Sequence, residues 1–145
     1  MRRALIEDAP EIARLAGELG YPTEPPEMRS RLSFLTDDPD HHIVVWNGVG
    51  DRLLGWVHAE HRRALDAPDR VELMGLVVDP SARRSGIGAA LLEAAEEWAR
   101  NRGVDTIRVR SNVARDSSHL FYEKMGFERQ KTQHVYRKPL RSADA

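Results

Sequence analysis

Apolar residues recur at Ile12, Leu15, Ala16 and Leu19, the spacing of one face of an α-helix. Asp8 just ahead of them is the expected N-cap, Pro10 fits the first turn, and Gly20 marks the stop. The stretch "YPTEPPEM" then reads as a mobile connector rich in proline and acid, leading into a second short helical pattern with Met28, Leu32, Phe34 and Leu35. Further on the period changes. "HIVVW" and "RLLGWVHAE" are β-branched and aromatic runs joined by the glycine-bearing "NGVGD", the signature of a hairpin. After the loop "RRALDAPD", the run "RVELMGLVVD" is apolar on both alternating faces except at Glu72, which predicts a strand buried inside a sheet.

The period returns to helical after Gly88. Ile87, Leu91, Ala94 or Ala95, and Trp98 share one stripe, with Glu93, Glu96, Glu97 and Arg100 opposite. Gly103 ends this helix after basic residues in its last turn. "TIRVRS" alternates as a strand, so strand, helix and strand make a βαβ unit with parallel strands. "SSHLFYEKMG" predicts one more short helix, and "FERQ" and "HVYRK" predict two closing strands. The expected fold is α/β of the α+β kind: a mixed, mostly antiparallel central sheet containing one βαβ unit and flanked by about four helices. Without a repeat or linker, residues 1–145 are expected to form a single domain.

Composition narrows the partners. Hydrophobic residues at 41% and charged residues at 31% are a globular balance, and the net charge of -1 supplies no field to hold a nucleic acid or an anionic membrane. Cysteine is absent, which excludes disulfides, thiolate metal sites and a covalent cysteine mechanism, and which points to the cytoplasm. "MRRALIEDAPEIARL" has neither the unbroken apolar core of a signal peptide nor that of an anchor. Exposed β edges near the C-terminus are compatible with a homodimer.

The chemistry is concentrated in "VVDPSARRSGIGAALLEAAEEWAR". A helix N-terminus presents backbone N–H groups without internal acceptors and the positive end of the helix dipole. Gly86 and Gly88 remove the side chains that would block close approach, and Arg83, Arg84 and Ser85 add donors, so this loop suits a phosphate or pyrophosphate. A glycine-softened turn is the plain alternative. A dinucleotide fingerprint would need a third glycine where Leu91 stands, and a nucleotide triphosphate loop would need a lysine that nothing after Gly88 supplies.

Arg83, Arg84, Ser85, Gly86, Ile87 and Gly88, preceded by "VVDP" and followed later by "LFYEKMGF", resemble the paired motifs of the GNAT superfamily of N-acetyltransferases. The element order resembles that family over nearly the whole chain. The resemblance implies acetyl-coenzyme A as acyl donor, its pyrophosphate on the amides from Arg84 to Ala89. It also implies a splay between the fourth and fifth strands, where the pantetheine arm pairs with the backbone of Leu76, Val77 and Val78. An N–H from the same stretch would face the developing oxyanion.

An alkyl amine is mostly protonated near neutrality, so a base or a water chain to one must take its proton. Glu72 is the candidate base, being the only ionisable residue in the run from Val71 to Val78; the other reading is a structural glutamate paired with Arg70 or another arginine. The family's helix tyrosine maps onto Tyr122, the candidate acid for the leaving thiolate, against a role as packing beside Phe121 and Met125. Relatives carry an asparagine seven residues before this tyrosine, where Arg115 stands here. Asn112 is the nearest substitute, Ser118 could line the same channel, and His119 could share the face of Tyr122.

Direct transfer in a ternary complex is expected, since no cysteine can carry the acetyl group. The branch resembles aminoalkylphosphonate and aminoglycoside acetyltransferases, which implies a small-molecule amine as acceptor. A coenzyme A-binding sensor or interaction module, and an enzyme acting on a protein amine, are the rival readings. Histidines at His41, His42, His58 and His61 lack metal-ligand spacing, so no metal is expected.

Overall fold

The computed structural model describes residues 1–110 and 116–141, which fall into two compact units, Met1–Arg110 and Ser111–Ala145. The first holds a five-stranded sheet in the order β1 (Arg2–Arg3), β2 (His41–Asn47), β3 (Leu53–Arg62), β4 (Arg70–Val78) and β5 (Ile107–Val109). Neighbours are antiparallel except β4 and β5, which run parallel as the βαβ reading requires. Three helices belong to this unit: α1 (Ala9–Glu18), α2 (Pro25–Leu35) and α3 (Ile87–Asn101).

Strand alternation sorts the side chains into two cores. Ile43, Val45, Trp56 and Val77 pack with Ile12, Leu15 and Ala16 of α1 and with Met28 and Leu32 of α2. The Trp56 indole also donates to the Ile12 carbonyl at 3.2 Å. The intervening residues, Val44, Val57, Ala59, Val71 and Leu73, are buried too and face the other way. Gly55 shows what covers them, because a Cβ there would meet the side chains of Leu91 and Ile87 on α3. Burial of each large apolar side chain contributes roughly 1.5–3 kcal/mol. Leu15, Val45, Leu91 and Val57 therefore hold the helices on as much as they hold the sheet together.

Several local expectations change. Asp8 precedes α1 but does not cap it: its carboxylate accepts from the Leu5 N–H and from both terminal nitrogens of Arg2. A stronger charged donor has taken the oxygen that a cap would use. The supposed connector narrows to four residues, since Pro25 and Pro26 start α2, where a missing N–H costs nothing. Phe34 lies outside the core with 76% of its surface exposed. Of "TIRVRS", Ile107–Val109 form β5, and Ser111 lies outside the described residues.

The second unit contains α4 (Asp116–Lys124), which ends in a double hydrogen-bonded cap: Phe127 N–H reaches the Tyr122 carbonyl and Gly126 N–H that of Glu123. Neither "FERQ" nor "HVYRK" forms a strand. An alternating pattern becomes a strand only where a ladder partner takes its amides and carbonyls. Here Val135 and Tyr136 stand in an exposed stretch without one among the described residues.

Candidate active site

β4 runs directly into the glycine loop, and Asp79 fixes that junction. Only 2% exposed, its carboxylate accepts from the Ser81 N–H and hydroxyl at 2.9 and 2.7 Å, from Arg14 at 2.8 Å and from Arg52 at 3.0 Å. Its own N–H donates to the Leu54 carbonyl. The Ser81 backbone donor, then its hydroxyl, then Arg14 hold the carboxyl well below the usual carboxylate range. Arg14 also reaches the Leu53 carbonyl and both oxygens of Glu11, so α1, β3 and β4 meet at this point.

From this anchor the chain makes one 3₁₀ turn, Pro80–Ala82, and then the exposed loop Arg83–Gly86. The Ser85 hydroxyl donates to the Ala82 carbonyl and closes the loop on itself. Arg84 has φ of 64°, a left-handed conformation that costs a residue with a side chain about 1–2 kcal/mol. Gly86 follows at φ of 85° and is the N-cap of α3, with no side chain occupying the capping position. The first helical bond past it runs from the Ala90 N–H to the Gly86 carbonyl, so the N–H groups of Ile87, Gly88 and Ala89 precede any intrahelical acceptor. Bare amides, a helix dipole and two adjacent arginines make an anion cradle there.

Among the described residues the upstream edge lacks a partner strand as well. β5 matches β4 only at Val71, Glu72 and Leu73. β4 continues five residues further, Met74 to Val78, with β3 on one side and no strand on the other among the described residues. Leu76, Val77 and Val78 thus offer ladder groups that lead into the cradle. An extended amide-bearing ligand fits such an edge as an added strand. Gly75 is held from behind: a Cβ there would come within 2.7 Å of the Trp56 ring.

Glu72 lies three residues before Gly75, its side chain 3% exposed. Arg108 grips it with three contacts of 3.1–3.4 Å from Nε and Nη2, which raises the Arg108 pKa, chiefly through the hydrogen bond. Arg110, Arg62 and Arg70 stand further off at 3.6, 3.8 and 4.0 Å. Of the expected pairings, with Arg70 or another arginine, that with Arg70 is the longest of four, and the arginine that dominates, Arg108, comes from β5. Alternation along "RVRS" and "EHRR" carried the signal, because Arg108, Glu60 and Glu72 are register partners across three strands.

Ser118 and Tyr122 belong to α4 in the second unit, both half-buried. The Tyr122 ring meets Phe121 and Phe127 edge-on, each at 5.4 Å between centroids. Asn112 and Arg115 lie outside the described residues. His41 Nδ1 and His58 Nε2 are 2.9 Å apart, a pairing that sequence spacing does not reveal, because it joins β2 to β3. Burial, then repulsion from His41, pushes His58 down to about 4. Among the described residues no group of three or more His, Asp or Glu could hold a metal ion, and no helix is long and apolar enough to cross a membrane.

Comparison with known proteins converges on one family. Residues 6–127 match the family model described as acetyltransferase (GNAT) family. The chain is 38% identical over 133 residues to an aminoalkylphosphonate N-acetyltransferase of Salmonella typhimurium, covering 88% of this chain and 84% of that one. It is 40% identical over 68 residues to an aminoglycoside N(6')-acetyltransferase of Klebsiella aerogenes, covering 47% and 45%. The chain spans about half the length of several curated relatives that it matches. Among solved structures, the aminoglycoside 6'-N-acetyltransferase AAC(6')-Ig of Acinetobacter haemolyticus superposes with a TM-score of 0.83 at 17% identity, covering 97% and 98%. A second, AAC(6')-Iy in complex with a bisubstrate analogue built on coenzyme A, superposes with a TM-score of 0.80 at 20% identity, covering 97% and 95%. With the mixed sheet, the half-paired β4 and the amide cradle at the start of α3 all in place, the chain belongs to the acetyltransferase (GNAT) family.

Proposed function

We propose that this protein moves the acetyl group of acetyl-coenzyme A to a primary amine of a small molecule, by direct transfer in a ternary complex. The observation that carries the reading is the continuous track from the unpaired stretch of β4, through the Asp79 anchor, to the bare amides ahead of α3. The pantetheine arm would use Leu76 to Val78 as ladder partners. The pyrophosphate would rest on the amides from Arg84 to Ala89, with Arg83 and Arg84 beside it. Relatives named for aminoglycosides and for aminoalkylphosphonates support a small amine as acceptor.

The donor supplies an activated thioester carbonyl. The amine nitrogen bonds to that carbon, the C–S bond breaks, and two proton movements complete the exchange. Glu72 is assigned the proton lost from nitrogen, through water, because both its oxygens already accept from Arg108. A backbone N–H between Leu76 and Val78 would stabilise charge on the carbonyl oxygen, and Tyr122 would protonate the departing thiolate.

The test is thiol release from acetyl-coenzyme A across a panel of small amines, with Tyr122→Phe and Glu72→Gln alongside. Each substitution should lower kcat by roughly a hundredfold while calorimetry still detects donor binding. Donor binding without turnover on any amine would leave a coenzyme A-binding module instead.

A further inference from the structure

The four arginines around Glu72 exceed what one carboxylate needs. Arg108 alone already donates to both of its oxygens. Arg62, Arg70 and Arg110 sit within ion-pair range yet donate no hydrogen bond to any described residue. One of these donors, Arg70 Nε, is buried without an acceptor among the described residues, so this arginine is not fully used by the Glu72 cluster.

The register sharpens the point. Arg62 and Arg70 are direct cross-strand partners, as are Glu60 and Glu72. Like charges placed opposite each other repel, at Cβ separations of roughly 5 Å. Counting this patch, Glu60 and Glu72 supply two negative charges against four positive ones on Arg62, Arg70, Arg108 and Arg110, an excess of two. The donor's own phosphates do not account for that excess. The arginines gather at the start of β4, whereas the amide cradle follows its far end.

We propose that Arg62, Arg70 and Arg110 form a subsite for an oxyanion on the acceptor, a carboxylate, phosphate or phosphonate carried on the same molecule as the amine. This deepens the acetyl-transfer reading and rests on it. Planar guanidinium groups match such oxygens in bidentate fashion. The same field disfavours polycationic amines. The acceptor class is therefore a short amine with an anionic end, oriented with the anion on the arginines and the nitrogen toward Leu76.

Two measurements on the full chain test this. In the first, phosphorus NMR follows propylphosphonate titrated into protein saturated with coenzyme A, which reads the subsite without catalysis. In the second, kcat/KM is compared for an aminoalkylphosphonate, an amino acid of equal chain length, the corresponding amino alcohol and a polyamine. The first two separate phosphonate from carboxylate as the preferred anion. Propylphosphonate should bind, and the anionic amines should exceed the amino alcohol by roughly tenfold or more in kcat/KM. In Arg62→Gln and Arg70→Gln that ratio should fall toward unity through a rise in KM, with donor binding by calorimetry showing that each variant is folded. No binding of propylphosphonate, or an amino alcohol or polyamine used as well as the anionic amines, overturns the subsite and leaves acetyl transfer standing. Phosphonate binding that both variants abolish, with no amine acetylated, upholds the subsite and overturns the transfer reaction.

Discussion

Gly86 concentrates two requirements in one residue. Its φ of 85° excludes a comfortable side chain, although the space where a Cβ would go is empty to 4 Å. Gly86→Ala should therefore destabilise the fold through backbone strain alone, by about 1 kcal/mol, read as a drop in Tm. It should weaken acetyl-coenzyme A binding by considerably more, because the added methyl group occupies the approach to the amides of Ile87 to Ala89. Calorimetry showing unchanged donor affinity in a folded Gly86→Ala protein would remove the pyrophosphate from this loop. Arg84, held left-handed two residues earlier, adds a strain of its own. Backbone strain of this sort collects where a loop has been shaped for a ligand.

At the scale of elements, Asp79 ties α1 and the start of β3 to the end of β4. Asp79→Ala leaves the Ser81 N–H without its acceptor and deprives Arg14 of one of its carboxylate partners, and should cost about 3 kcal/mol, measured by urea unfolding. Arg52→Ala removes a half-exposed partner of the same carboxylate and should cost less than about 1 kcal/mol. The sequence marked where these elements lie, since period-2 and period-3.6 patterns delimit β2, β3, β4 and α3 to within a few residues. The Asp79 anchor was illegible, because Arg14 lies 65 residues away and only the folded chain brings them together. The closing strands were misread for the opposite reason. Their alternation is local, whereas a strand needs a partner elsewhere. For the candidate site, the cradle and Glu72 were visible as motif and as isolated charge. The arginines around Glu72 needed the register of three strands before they became one cluster.

Across the whole molecule, pH acts through the half-buried histidines His42 and His58. His58 has a native pKa of about 4 against an ordinary value of 6.5, and His42 moves the same way through burial and then Arg3. Between those values the unfolded chain binds a proton that the native state refuses. Stability is therefore fully present above about pH 6.5 and declines as the pH falls toward 4, by up to about 3 kcal/mol for His58. Urea unfolding at about pH 7.5 and about pH 5 should show that loss, and His58→Gln should flatten it. A stability independent of pH over this interval would mean that the pair with His41 is hydrated in solution. The open margin of β4 has a consequence of another kind. Main-chain groups respond to the spacing of amides in a guest and are indifferent to what hangs from its thiol. On the proposed reading, grip on the carrier and choice of acyl cargo are separate properties. Altering side chains such as Met74 could then retune propionyl against acetyl use without loosening the hold on coenzyme A.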